Sequence, residues 1–308
     1  MSELNKALEV IKAERALAEG GAEGNLVISK TWLSANVCRM VLQAPHIAKQ
    51  RKPGQFVIVQ TDVDYGERIP LTIADADPEA GTVTLIFQTV GKSTTELGQF
   101  EVGDYVPVCA GPMGKPTHIE KFGRVVAVGG GIGIAPLHPI VQGMKAAGNH
   151  VTLIAGARSR ELIIMEEEMR QAVDDIIICT DDGSYGRKAL VTEPLKEICE
   201  SDKPDLVIAI GPPIMMKFCA ETTRPFAVPT LVSLNTIMID GTGMCGCCRV
   251  TVGGQVKFVC VDGPEFDGHL VDFNGMLRRL NAFKAEETCA RERGCRRAAL
   301  VKALEEMA

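Results

Sequence analysis

Residues 125–137 read VVAVGGGIGIAPL, a charge-free strand-like run that breaks into glycines and resumes with Pro136. Gly129 to Gly133 can form a tight turn whose N–H groups, together with a helix N-terminus, receive a pyrophosphate. Pro136 suits the first turn of that helix, where an N–H has no intrahelical partner. The pattern is G-x-G-x-x-P and not the full G-x-G-x-x-G, so alone it also fits a plain strand-to-helix turn.

Its surroundings decide between these readings. HVTLIAG (150–156), DIIICTDDG (175–183) and DLVIAIGPP (205–213) are further continuous apolar runs, each ending in Gly or Asp. Helix-like stretches lie between them, LHPIVQGMKAAG (137–148) and ELIIMEEEMRQAV (161–173). Fully apolar strands alternating with helices indicate a parallel sheet buried on both faces. Such sheets bind ligands at the carboxyl ends of their strands. Residues 125–144 are long enough to span a bilayer, but they hold five glycines, two prolines, a histidine and a glutamine. A buried strand and glycine loop fits that composition better than a lipid-exposed helix, so no membrane span is expected.

Upstream the texture differs. GQFVIVQ (54–60), GTVTLIFQ (81–88) and DYVPVCA (104–110) are short β-branched runs separated by turn signals. They predict an all-β module, a barrel. Residues 3–18 place Leu4, Leu8 and Ile11 at helical spacing and predict a docking helix. The expected organisation is an N-terminal helix (1–24), a β-barrel (25–117), an α/β parallel-sheet domain (118–230), a small cysteine-rich module (231–275) and a helical tail (276–308).

At 308 residues the chain is about two or three modules long and needs no covalent staples. With 46% apolar and 23% charged residues it is not a disordered chain. A net charge of −6 argues against nucleic acid as its partner. Eleven cysteines without a secretory leader at Met1 favour cytoplasmic thiols or a metal centre over a disulfide framework.

The cysteine-rich module carries the strongest chemical signal, IDGTGMCGCCRVTVGGQVKFVCVDG (239–263). Plant-type [2Fe–2S] proteins space their ligands C-x4-C-x2-C with a distant fourth cysteine. Cys245 and Cys248 supply the C-x2-C, Cys260 follows after eleven residues, and the x4 position upstream is Asp240. Glycines 241, 243 and 246 let backbone approach a cluster and turn N–H groups toward its sulfides. A structural zinc held by Asp240, Cys245, Cys248 and Cys260 is the competing reading. Cys247 lies between two of these ligands, so its side chain is expected to point elsewhere.

In the barrel, ERIPLTIAD (67–75) sets an Arg four residues before a Thr, and TVGKSTTEL (89–97) holds a small hydroxyl-rich loop. Either could hold a phosphate, and either also reads as ordinary strand and turn. The order of these motifs resembles the ferredoxin–NADP reductase superfamily: R-x-x-x-T and G-x-S/T in a barrel, then G-G-G-x-G-x-A-P, then G-P-P. With GPMGKP (111–116), TDDGSYG (180–186) and the C-terminal cluster motif, residues 25–275 are similar to its electron-transfer flavoprotein subunits. These include the dihydroorotate dehydrogenase electron-transfer subunits and the small subunits of NADH-dependent ferredoxin:NADP oxidoreductases.

The resemblance implies FAD in the barrel, a nicotinamide nucleotide on the sheet, and a [2Fe–2S] cluster near the C-terminus. Arg68, Pro70, Leu71 and Thr72 would line FAD, with Gly91, Ser93 and Thr94 at its phosphates. Gly130, Gly131, Gly133 and Pro136 would cradle the nucleotide, Gly211 and Pro212 would lie near the nicotinamide, and Asp240, Cys245, Cys248 and Cys260 would hold iron. Arg158 and Arg160 follow the second sheet strand, where a 2′-phosphate reader could sit; the alternative is a solvated helix entrance paired with Glu161 or the acidic run 166–168. Asp182 is a further candidate on the nucleotide. NAD(H) is preferred over NADP(H). Asp240 ranks the transhydrogenase-type small subunits above the dihydroorotate type, which usually place a Cys there; a dihydroorotate or sulfide dehydrogenase electron-transfer subunit is the alternative. The expected partner is a larger redox subunit, with ferredoxin reached indirectly, and no acid–base residue is assigned. The readings of other classes are a zinc-containing nucleotide-binding redox regulator and a reductase that works without a partner.

Overall fold

A computed structural model describes residues 25–64 and 66–293. The helix expected over 3–18, the end of the tail, and Cys295 lie outside the described residues.

The first unit is a six-stranded antiparallel sheet of β1 (Leu26–Ser34), β2 (Val37–Gln43), β3 (Phe56–Gln60), β4 (Arg68–Asp77), β5 (Thr82–Gln88) and β6 (Val108–Met113), in the order β1-β2-β5-β4-β3-β6. Residues just before β6 return to β1: Val27 N donates to Asp104 O at 2.9 Å and Val106 N to Asn25 O at 3.0 Å. That contact rolls the sheet into a barrel. Alternation fills its interior, with Cys38, Met40 and Leu42 of β2 meeting Leu85, Phe87 and Ile73. Short helices α1 (Pro45–Gln50) and α2 (Lys92–Leu97) close its ends.

The second unit is a seven-stranded sheet of β7 (Arg124–Gly130), β8 (His150–Ala157), β9 (Asp175–Thr180), β10 (Arg187–Lys188), β11 (Leu206–Ile210), β12 (Thr230–Ser233) and β15 (Glu265–Asp267). Its order is β10-β9-β8-β7-β11-β12-β15, and every pair is parallel except β12 with β15. Helices α3 (Ile134–Ala146), α4 (Glu166–Ala172), α5 (Thr192–Ser201) and α6 (Pro213–Thr223) connect the strands. β7, β8 and β11 are buried almost throughout, as continuous apolar runs require when helices cover both faces.

Only part of 161–173 is helical. Arg160–Leu162 forms one 3-10 turn, and Met165 takes a left-handed φ of 56° before α4 begins. The cysteine-rich module holds the hairpin β13 (Arg249–Val252) and β14 (Gln255–Phe258), then α7 (Val259–Asp262). The boundary expected at 230/231 falls inside β12, and β15 joins that strand's free edge, so sheet and module share one core. The tail opens with α8 (Phe273–Leu280), which starts three residues before the expected 276.

Candidate functional site

The sheet reverses direction at β7: the chain runs outward through β8 and β9, then returns to β11 on the other side. Such a switch point leaves a crevice at the carboxyl ends of the two central strands. Gly130, Gly131 and Gly133 end β7 there, and Gly211 and Pro212 end β11. The two loops touch. A Cβ on Gly211 would lie 3.1 Å from Gly130 N, and one on Gly133 would collide with the Ile210 carbonyl. Gly131 differs: its φ is +54° and a Cβ there would meet nothing within 4 Å. That open face beside the N-terminus of the 13-residue α3 has room for an anionic group, and Pro136 sits in its first turn.

Arg158 follows β8 and Asp182 follows β9, and Asp182 N donates to Arg158 O at 3.2 Å. Ser184 donates to the Asp182 carboxylate from Oγ at 2.7 Å and from N at 2.9 Å, which holds that carboxyl below its usual range. Arg160 lies over the Tyr185 ring, 5.0 Å from its centroid. Among the described residues Arg158 is in no ion pair. The acidic run is used elsewhere: Glu166 pairs with Arg170 at 2.6 Å, and Glu168 pairs with Arg39 of the barrel at 2.6 Å. The two loops therefore bring Arg158 and a carboxylate ordered by Ser184 to the carboxyl edge of the sheet.

On the barrel, β4 pairs with β3 in the register Thr72 to Phe56, Pro70 to Ile58 and Arg68 to Gln60. Arg68 is exposed while Pro70, Leu71 and Thr72 are half-buried. Gly91 caps α2 and a Cβ there would meet nothing within 4 Å. Thr94 Oγ1 accepts the Gly91 N–H at 3.2 Å, bracing the turn, and the buried Ser93 hydroxyl donates to Glu67. An extended strand with an exposed arginine, next to an open glycine turn, fits a long cofactor carrying phosphates.

The cysteine loop packs against this same barrel wall. Gly241 has a φ of +76°, and a Cβ there would be 2.9 Å from Ile58 Cγ1 and in collision with Met113. Asp240 accepts N–H donors from Thr242 at 2.9 Å and Cys245 at 2.8 Å, and these hold its carboxyl below the usual range. Cys248 and Cys260 are buried with their sulfurs 3.2 Å apart. The four candidate ligands thus fall into two touching pairs, Asp240 with Cys245 and Cys248 with Cys260. Among the described residues no three donors converge as one metal ion would require. A binuclear cluster takes two ligands on each iron, so the donor set fits [2Fe–2S] better than a single zinc. Cys247, expected to point away, instead touches the Cys245 thiol, and Arg279 donates to its carbonyl at 3.0 Å. Ile58, Arg39 and Arg279 carry no local signal of these roles, because each acts through a contact distant along the chain.

Residues 235–272 match the family model for the iron–sulfur cluster binding domain of dihydroorotate dehydrogenase B, and 127–221 match the oxidoreductase NAD-binding domain. A dihydroorotate dehydrogenase B (NAD(+)) electron transfer subunit homolog from Thermotoga maritima is 45% identical, over 89% of this chain and 96% of that protein. The electron transfer subunit of Desulforamulus reducens is 36% identical over 78% and 94%. A chain from the structure of an NADH-dependent reduced ferredoxin–NADP oxidoreductase, a study of flavin-based electron bifurcation, superposes with a TM-score of 0.84 at 44% identity, covering 89% of this chain and 99% of that one. A cytochrome P450 reductase from Amycolatopsis shares the fold, with a TM-score of 0.57 at 20% identity over 66% and 65% of the two chains. Among the described residues no helix is long and apolar enough to cross a membrane.

Proposed function

We propose, from the premise that this chain belongs to the family of dihydroorotate dehydrogenase B electron-transfer subunits, that it serves as the NAD(H)-linked subunit of a ferredoxin/NAD/NADP transhydrogenase complex. Its cofactors are FAD, NAD(H) and an iron–sulfur cluster. When bound, FAD accepts a hydride from the nicotinamide and releases electrons singly, which a one-electron cluster can carry onward.

The observation that carries this reading is the position of Ile58. Its strand partner is Pro70 on the candidate flavin strand, and its side chain touches Gly241, next to Asp240. One strand spacing, about 4.8 Å, plus one side chain separates the flavin wall from the cluster loop. Arg68 and the Gly91–Thr94 turn would orient the flavin, and the Gly130–Gly133 turn and Gly211–Pro212 would orient the nicotinamide across the crevice. Asp240, Cys245, Cys248 and Cys260 would hold the cluster against Ile58.

Anaerobic titration of the purified holoprotein tests the nucleotide side. NADH should bleach both flavin and iron–sulfur absorbance, with NADPH slower by about tenfold or more, because the Asp182 carboxylate would accept a ribose hydroxyl and repel a 2′-phosphate, a difference of at least about 1.4 kcal/mol. Equal rates would overturn the NAD(H) assignment, and a colourless protein would overturn the flavin–iron–sulfur reading. Asp240 bears on the complex. A carboxylate donates less electron density than a thiolate, so it stabilises the ferric state less and raises the cluster potential. Asp240→Cys is expected to lower the midpoint in a potentiometric titration; an unchanged or higher value would reject that role. The relatives' names support a second reading, delivery to a dihydroorotate dehydrogenase. Mass spectrometry of the natively purified complex separates the two by the size and identity of the larger subunit.

A further inference from the structure

We propose that Glu265 is a proton site tied to the redox state of the iron–sulfur cluster: its carboxylate takes one proton from water as the cluster takes one electron, and returns it as the electron leaves. The inference rests on the reading of Asp240–Cys260 as the cluster ligands. The electron comes from the reduced nicotinamide by way of the flavin, and the only bond made or broken at Glu265 is O–H.

Glu265 opens β15, where the sheet, the barrel and the cysteine module meet. It pairs with Ser233 at the carboxyl end of β12. Thr117 Oγ1 donates to its Oε1 at 2.7 Å, and a Cβ on Gly54 would lie 3.3 Å from the same oxygen. The backbone just before it is fixed by two bonds: Lys115 N donates to Gly263 O at 2.7 Å and Leu234 N to Pro264 O at 2.9 Å. The carboxyl is therefore held in place with a single hydroxyl donor.

No cation of the described residues is paired with it. The charged residues of the segments packed around it are Lys52, Lys115, His118, Asp262 and Asp267. Among the described residues none forms an ion pair with Glu265, and His118 faces Glu120 at 3.1 Å. β12 contributes no charged side chain. Burial pushes the Glu265 carboxyl up to about 7, so it exchanges its proton at neutral pH.

The link to the cluster runs through the apolar residues next to Glu265. Cys248, Cys260, Val259 and Phe266 belong to one buried apolar core, which also includes Ile58 and Phe56 of the barrel. Phe266 follows Glu265 directly, and its ring fills the space beside Gly263, at the end of the helix that carries Cys260. A negative charge added at the cluster is weakly screened across such a core, and it opposes ionisation of the carboxyl. Proton uptake must then accompany reduction.

The test is an EPR-monitored potentiometric titration of the cluster in the full flavoprotein between about pH 6 and 9. The wild-type midpoint should be flat below about pH 7, where the carboxyl is protonated in both redox states, and should fall above it by up to a factor of ten in the reduction equilibrium per pH unit, about 59 mV for one electron. Glu265→Gln should flatten that dependence while leaving the flavin and iron–sulfur spectra unchanged. A redox-difference infrared spectrum of the wild-type protein should gain a protonated-carboxyl band on reduction, and this needs no variant. The same slope in Glu265→Gln, a pH-independent wild-type midpoint with an intact cluster spectrum, or no carboxyl band would each overturn the role of Glu265. Absence of the iron–sulfur spectrum from the wild-type protein would instead overturn the cluster assignment on which the inference rests.

Discussion

Cys248→Ser is expected to keep reduction of the flavin by NADH and to lower electron delivery to the partner by more than about 100-fold, since changes even to the outer shell of a metal site cost about 10–100-fold. Cys248 is buried, and its sulfur lies 3.2 Å from that of Cys260, so the two would share one iron. A serine oxygen is a poorer donor to iron, and without metal it leaves a buried hydroxyl at a cost of about 1–3 kcal/mol if unpaired. The nucleotide crevice lies at β7 and β11 and uses none of these atoms. Stopped-flow bleaching of the flavin by NADH should therefore keep its wild-type rate, while iron content and the NADH-induced EPR signal fall. Full retention of delivery in the assembled complex would reject the route through the cluster.

How much could be read in advance differed between local and distant features. VVAVGG announced a buried strand and glycine turn because its signal is local, four apolar residues against glycine. The contact of Gly211 with Gly130 was only implied, since adjacency of β7 and β11 depends on the order in which strands join the sheet. β15 was invisible: three residues, Glu265–Asp267, flanked by Gly263–Pro264 and Gly268, carry no strand pattern of their own. They pair because β12 offers a free edge. The helical look of ELIIMEEEMRQAV failed at Met165, whose left-handed backbone starts a new element at Glu166. The spacing of Asp240, Cys245, Cys248 and Cys260 was legible as a ligand set. Its division into two pairs, and the contact of Cys247 with Cys245, depend on how the glycines at 241, 243 and 246 turn the loop.

The glycine turn yields the second large effect, a split between neighbouring positions. Gly131→Val is expected to raise the KM for NADH by more than about 100-fold, about 2.8 kcal/mol at 1.4 kcal/mol per decade, while the protein stays folded. Its side chain would enter open space in the crevice, where it excludes the nucleotide's phosphates and touches nothing of the protein within 4 Å at Cβ. The stability cost is that of a left-handed residue, about 1–2 kcal/mol, larger by some tenths for a β-branched one. Gly133→Val should behave in the opposite way. A Cβ there collides with the Ile210 carbonyl, a backbone atom at the end of β11 where Ile210 pairs with Gly129 of β7. Backbone in that position cannot swing aside as a flexible side chain does, so the cost is overpacking of about 3 kcal/mol or more. Melting curves and NADH concentration series on both variants distinguish the two. A wild-type KM in Gly131→Val would remove the phosphate cradle from this turn, and a wild-type melting temperature in Gly133→Val would mean that β7 and β11 are not clamped together at Ile210.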